Sequence, residues 1–131
     1  MSYPLRIIKS LAVTDANLTA TDVAENDHAV YSPTTTYALG DRVIVPSLHK
    51  VFESIQASNL GKTPATEDLW WADVGATNRW KLFDLSSTSQ TQLSTSNYYE
   101  ITPGQATDSA ALINVAGLQT VRVRVIDPVY G

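Results

Sequence analysis

Apolar residues along this chain come in short bursts, broken by Gly, Pro, Asn and Ser/Thr clusters. No stretch holds the 3.6-residue period of an amphipathic helix through three turns. The pattern predicts an almost entirely β structure with helix limited to short turns. Leu5-Arg6-Ile7-Ile8 has the composition of one short strand. Thr14-Asp15 and Thr21-Asp22 each set a hydroxyl before an acid, the arrangement that caps a helical turn. With Leu11, Val13, Leu18 and Val23 as isolated anchors, residues 1–28 are expected to form an arm. Its anchors are too scattered for a core of its own, so it should pack outside the module that follows, on later parts of the chain or on another subunit.

Residues 31–75 alternate strand and turn. Val43-Ile44-Val45 is a short strand stopped by Pro46, and Ser47-Leu48 turns the chain. The run from His49 to Gln56 then puts His49, Val51, Glu53 and Ile55 on one face and Lys50, Phe52, Ser54 and Gln56 on the other. Asn59-Leu60-Gly61-Lys62-Thr63-Pro64 is a loop, and Ala72-Asp73-Val74 closes a small three-stranded β module, residues 29–76. Beyond Gly75-Ala76-Thr77, four more strands are expected at residues 77–84, 97–102, 110–115 and 120–127. In the last, Val faces inward and Arg122 and Arg124 face water along an edge. These four make half a β-sandwich, so residues 77–131 are expected to be the start of a domain that continues past the chain end.

Ser and Thr account for 27 of the 131 residues, which suits half-exposed strand surfaces and turns. The net charge of −4, with nine Lys and Arg scattered singly, lacks the clustered positive charge that binding to phosphates requires, so no nucleic-acid partner is expected. No apolar run nears the roughly 18 residues that span a bilayer, and the N-terminus lacks a signal-peptide core. No membrane insertion and synthesis in a cytoplasm follow as expectations. The absence of cysteine removes disulfides, thiolate metal sites and cysteine nucleophiles.

Five rings, Tyr31, Tyr37, Phe52, Trp70 and Trp71, fall within 41 residues. Exposed flat rings hold sugars by offering a π face to pyranose C–H groups, while buried ones build the core of a small β module. Trp70 and Trp71 are neighbours, and neighbours on a strand face opposite ways. Trp71 is expected to be buried near Tyr37 and Val43. Trp70 is expected to point the other way, partly exposed beside Tyr31. Tyr31 and Trp70 are thus the candidate contacts to a glycan or partner, and Tyr37, Phe52 and Trp71 the structural aromatics. His28 and His49 are assigned surface or loop roles, and no nucleophile elbow, zinc-helix motif or phosphate loop accompanies them, so no catalytic residue, metal or cofactor is expected. Asp22, Glu25 and Asp27 lack calcium-loop spacing and are read as solvated caps.

The order Tyr31, Tyr37-Ala38-Leu39-Gly40-Asp41-Arg42-Val43, Lys50-Val51-Phe52-Glu53-Ser54, Gly61-Lys62-Thr63-Pro64, Trp70-Trp71-Ala72-Asp73-Val74-Gly75 resembles the small chitin-binding-type carbohydrate module. Sugar-binding members usually carry Trp where this chain has Tyr31. Together with Asp22-Val23-Ala24-Glu25-Asn26-Asp27, Thr77-Asn78-Arg79-Trp80-Lys81-Leu82-Phe83-Asp84 and Ala110-Ala111-Leu112-Ile113-Asn114-Val115, the whole chain resembles tail-tip or baseplate-region proteins of tailed bacteriophages. That resemblance implies a non-enzymatic virion protein of the tail, homo-oligomeric, with other phage tail proteins and a host-surface glycan as partners. The alternative expectation is a carbohydrate-binding module appended to a polysaccharide-degrading enzyme. A third is a hydrolase whose catalytic half follows residue 131.

Overall fold

The computed structural model describes residues 10–93, 96–107, 110–112, 115–117 and 119–125, so the expected strand at residues 5–8 lies outside it. Among the described residues the order is β1 (Leu18–Thr21), β2 (Thr36–Tyr37), β3 (Arg42–Val45), a 3₁₀ turn at Pro46–Leu48, β4 (Lys50–Ser54), β5 (Asn59–Leu60), β6 (Trp71–Ala76) and β7 (Tyr99–Ile101), with no α-helix. The protein is all-β.

The central sheet is antiparallel in the order β3-β4-β6. Val43 lies opposite Phe52 and Ile44 opposite Val51, while Ser54 lies opposite Trp71. Alternation sends Val43, Phe52 and Trp71 to one face, where they form the core with Tyr37. Ile44 and Val51 point to the other face and are buried too. The short pair β2-β5 sits beside this sheet. Residues 29–31 run along β3 as a parallel bridge: the Ile44 N–H donates to the Ala29 carbonyl at 2.9 Å, and the Tyr31 N–H to the Ile44 carbonyl at 3.0 Å.

His49 does not belong to the strand. Pro46 opens the 3₁₀ turn and His49 ends it in the left-handed region, φ 55°, so β4 starts one residue later, at Lys50. At the other side of the sheet the pairing slips between Val51 and Phe52, and Gly75, φ +116°, accommodates the slip in a conformation that a side chain disfavours. The Thr77 N–H then donates to the His49 carbonyl at 2.8 Å.

The arm forms one capped turn: the Thr14 carbonyl accepts from Asn17 and Leu18, and the Asn17 Oδ1 accepts the Thr14 N–H at 2.7 Å. The second expected turn, at Thr21, gives way to β1. Thr21 Oγ1 accepts the Val23 N–H and donates to the Tyr98 carbonyl, which holds the residue extended. β1 pairs with β7 alone, antiparallel. The arm also reaches the module, through Asp15 and Glu25 at His49, contrary to the expectation that it packs only outside it.

Three of the expected C-terminal strands are corrected. Residues 77–84 form successive turns, because the Thr77 carbonyl accepts from Trp80 and Lys81 and the Trp80 carbonyl accepts from Phe83. Three-residue spacing therefore brings Trp80 and Phe83 together, 6.0 Å apart edge to face, and leaves Leu82 exposed. In 110–115 and 120–127 the described residues are all exposed and form no strand. Alternation makes a segment fit for a sheet, but it becomes a strand only when a neighbouring edge takes up its backbone groups. Arg122 and Arg124 accordingly lie on no edge strand here.

Candidate binding surface

The two ends of the central sheet differ. At one end, where β3 finishes, β4 begins and β6 finishes, lies a polar node around His49. Its Nδ1 is 3.2 Å from Glu25 Oε1 and its Nε2 3.0 Å from Asp15 Oδ2. The Glu25 side chain is only 9% exposed and also accepts from Thr77 Oγ1 at 2.8 Å, with the Arg79 Nη1 3.8 Å away. Arg79 Nε donates to the Val23 carbonyl, and Asp27 accepts the Asn78 N–H. Glu25 and Asp27 are thus bound to the segment after β6, which corrects the reading of both as solvated caps. Asp22 likewise accepts the Tyr98 N–H at 2.9 Å. Burial of a carboxylate requires partners, and Glu25 has three.

At the opposite end, where β3 begins, β4 finishes and β6 begins, the aromatic residues converge. Trp71 is 2% exposed, and its indole N–H donates to the Lys62 carbonyl at 2.7 Å. Tyr37 packs edge-on against it at 5.1 Å, and Tyr31 lies 5.9 Å from Trp71 and 6.0 Å from Tyr37, stacked on the latter. Phe52 is buried in the same cluster, and Tyr31 and Trp70 are half-buried at its margin.

Trp70 does not turn to the opposite face from Trp71, because it precedes β6 instead of lying in it. The Thr63 carbonyl accepts the Glu67 N–H, and the Glu67 carbonyl accepts from Trp70 and Trp71, so the stretch is turn-wound and the strand alternation does not apply. Buried Asn59 steadies this turn, donating through Nδ2 to Ser54 Oγ at 2.9 Å and to the Trp70 carbonyl at 3.3 Å.

Two further kinds of residue complete this end. The Lys62 ammonium sits over the Trp70 ring, 5.3 Å from its centroid, and 3.5 Å from Glu67. Leu39 and Leu69 are 68% and 75% exposed, and Ile55 is exposed as well. Backbone bonds from Gly40 to Ser54 and from Ile55 to Trp70 bring the stretches that carry these three residues to this end of the sheet, its rim. Leu39, Leu69 and Lys62 escaped the sequence reading because single apolar or basic residues in turns carry no periodicity; only the turn contacts assemble them. The rim offers two half-exposed rings, three aliphatic side chains and one cation. It suits attachment to a mixed apolar and polar surface. The stacking of Tyr31 on Tyr37 and of Lys62 on Trp70 leaves no pair of bare coplanar rings.

Among the described residues, no group of three His, Cys, Asp or Glu side chains could hold a metal ion, and no helix is long and apolar enough to cross a membrane. The chain matches no protein family, no characterised protein and no solved structure.

Proposed function

We propose that this chain is a non-enzymatic structural component of a tailed-bacteriophage tail, in the tip or baseplate region, and that the Tyr31 and Trp70 rim is its contact surface for partner tail subunits or a host-surface glycan. The observation that carries the reading is the polarity of the module. One end is locked to the arm and to residues 77–83 through Glu25 and His49, while the end that carries Trp70 leaves Leu39, Ile55 and Leu69 exposed. A module held at one end and apolar at the other is built to bridge two neighbours. The resemblance of the whole chain to tail-tip proteins supplies the biological setting, the virion, and the homo-oligomeric state common in such assemblies.

The test is the location and the contact together. Antibody labelling of particles carrying this chain should mark the tail end opposite the capsid, and Trp70→Ala should weaken adsorption to host cells or incorporation into tails while the chain stays folded. Labelling on the capsid, or nowhere on the particle, overturns the reading. The second reading, a carbohydrate-binding module attached to a polysaccharide-degrading enzyme, draws on the half-exposed Tyr31 and Trp70 rings. Binding of the isolated chain to insoluble chitin, lost in Trp70→Ala, would favour it.

A further inference from the structure

β7 and the segment from Val121 to Val125 are the two places outside the module where an alternating sequence carries few or no sheet partners among the described residues. Among the described residues β7 pairs only with β1, so its outer edge is open, and a two-stranded ribbon is marginal without a third strand. Along that edge Glu100 is exposed between Tyr99 and Ile101. In Val121-Arg122-Val123-Arg124-Val125 the valines are 47%, 65% and 91% exposed, and no described residue pairs with them.

We propose that residues 121–125 of one copy of this chain add as a third strand to the outer edge of β7 in a second copy. Directly opposed residues in a sheet share a face. Setting Arg122 opposite Glu100 therefore places Val121 and Val123 beside Tyr99 and Ile101 in either strand direction. Charge favours the same match: the segment carries two arginines and no acid within a chain of net charge −4. On β7 the complementary acid is Glu100, which is exposed. Main-chain hydrogen bonds supply the attachment, and the Val and Arg alternation supplies the register. Reciprocal exchange between two copies makes two such contacts and closes as a two-fold pair. The inference stands on this edge and segment, independent of the tail-tip reading.

The full chain has no native cysteine, so introduced ones report contacts cleanly. Light scattering on the purified 131-residue chain should give a mass of at least two copies. Val123→Pro, which removes a ladder donor from a segment that forms no strand among the described residues, should give a monomer with an unchanged circular dichroism spectrum. Mild oxidation of Ile101→Cys chains mixed with Val123→Cys chains, or with Val121→Cys chains, should yield a covalent dimer containing one of each in the mixture that matches the strand direction, parallel or antiparallel. A parent that is monomeric at every concentration overturns the proposal. So does a Val123→Pro chain that stays oligomeric, or the failure of both mixtures to cross-link.

Discussion

The imidazole of His49 stacks on the indole of Trp80, with ring centroids 3.9 Å apart and planes 24° from parallel. Stacking fixes the ring plane, and Glu25 and Asp15 at its two nitrogens fix its rotation. Three separate stretches, the arm, the turn after β3 and the turns after β6, therefore meet at one side chain. His49 holds this position because the 3₁₀ turn ends on it in the left-handed region, which swings its side chain off the strand and toward the arm.

Glu25→Ala should loosen this junction. It strips the acceptor from Thr77 and the carboxylate from His49 and Arg79 at a site almost closed to water, a loss of about 1 to 3 kcal/mol. Urea unfolding should show that loss, and limited proteolysis should cut sooner in residues 10–28. Glu25→Gln keeps an oxygen for Thr77 and should lose less. Equal stability of the alanine variant and the parent would mean that the arm is held by other contacts.

Asp73 should give stability a weak acid dependence. Burial acts to raise its carboxyl, but the hydrogen bond from Lys50, the Gly75 N–H and the Lys50 charge outweigh it and hold the group below the usual carboxylate range. A carboxyl depressed in the folded state stabilises fully above its unfolded value, near 3.8, and that contribution is lost as pH falls through the lower folded value. Both side chains are nearly half exposed, so the pair contributes no more than about 1 kcal/mol and should shrink in high salt. Urea midpoints of the parent and Asp73→Asn, compared across pH, should differ at neutral pH and converge in acid. A gap that widens in acid would contradict the assignment.

Asn59→Ala tests what steadies Trp70. Asn59 is fully buried, and its amide N–H groups bridge Ser54 and the carbonyl of Trp70. Truncation should cost about 1 to 3 kcal/mol and make Trp70 fluorescence more accessible to a quencher such as acrylamide. Unchanged quenching would show that the turn from Thr63 to Trp71 holds the ring unaided.

The three strands of the central sheet were readable in the sequence because β-branched runs bounded by Pro and Gly carry the strand period, as Val43-Ile44-Val45 and Val51-Phe52 do. The facing of Trp70 was not, because strand alternation does not extend across a boundary where the chain is still wound in a turn. Residues 77–84 hid their form for a related reason: Trp80 and Leu82 fit one face of a strand and Phe83 the other, yet the Thr77 carbonyl captures two later N–H groups and imposes a spacing of three. The role of Glu25 was hidden because its partners lie 24, 52 and 54 positions away, at His49, Thr77 and Arg79, and local composition says nothing of contacts at that distance.

The tandem tryptophans separate folding from attachment. Trp71 closes the core with Tyr37, Val43 and Phe52, and its indole N–H is what satisfies the Lys62 carbonyl. Trp71→Ala would leave a cavity at the centre of the cluster, and such truncations cost about 3 to 5 kcal/mol, a large share of the stability of a domain this small. That variant should be largely unfolded by circular dichroism. Trp70 packs only at the margin, so Trp70→Ala removes part of its packing and the cation contact with Lys62, worth about 0.5 to 1 kcal/mol when exposed. It should melt slightly below the parent with the same spectrum. Trp70→Phe, which keeps a ring for Lys62 to cover, should recover most of the attachment that Trp70→Ala loses. If Trp70→Ala unfolds the chain, the rim is part of the core. If both Trp70 variants fold and attach as the parent does, the contact surface lies elsewhere and the module acts as a spacer.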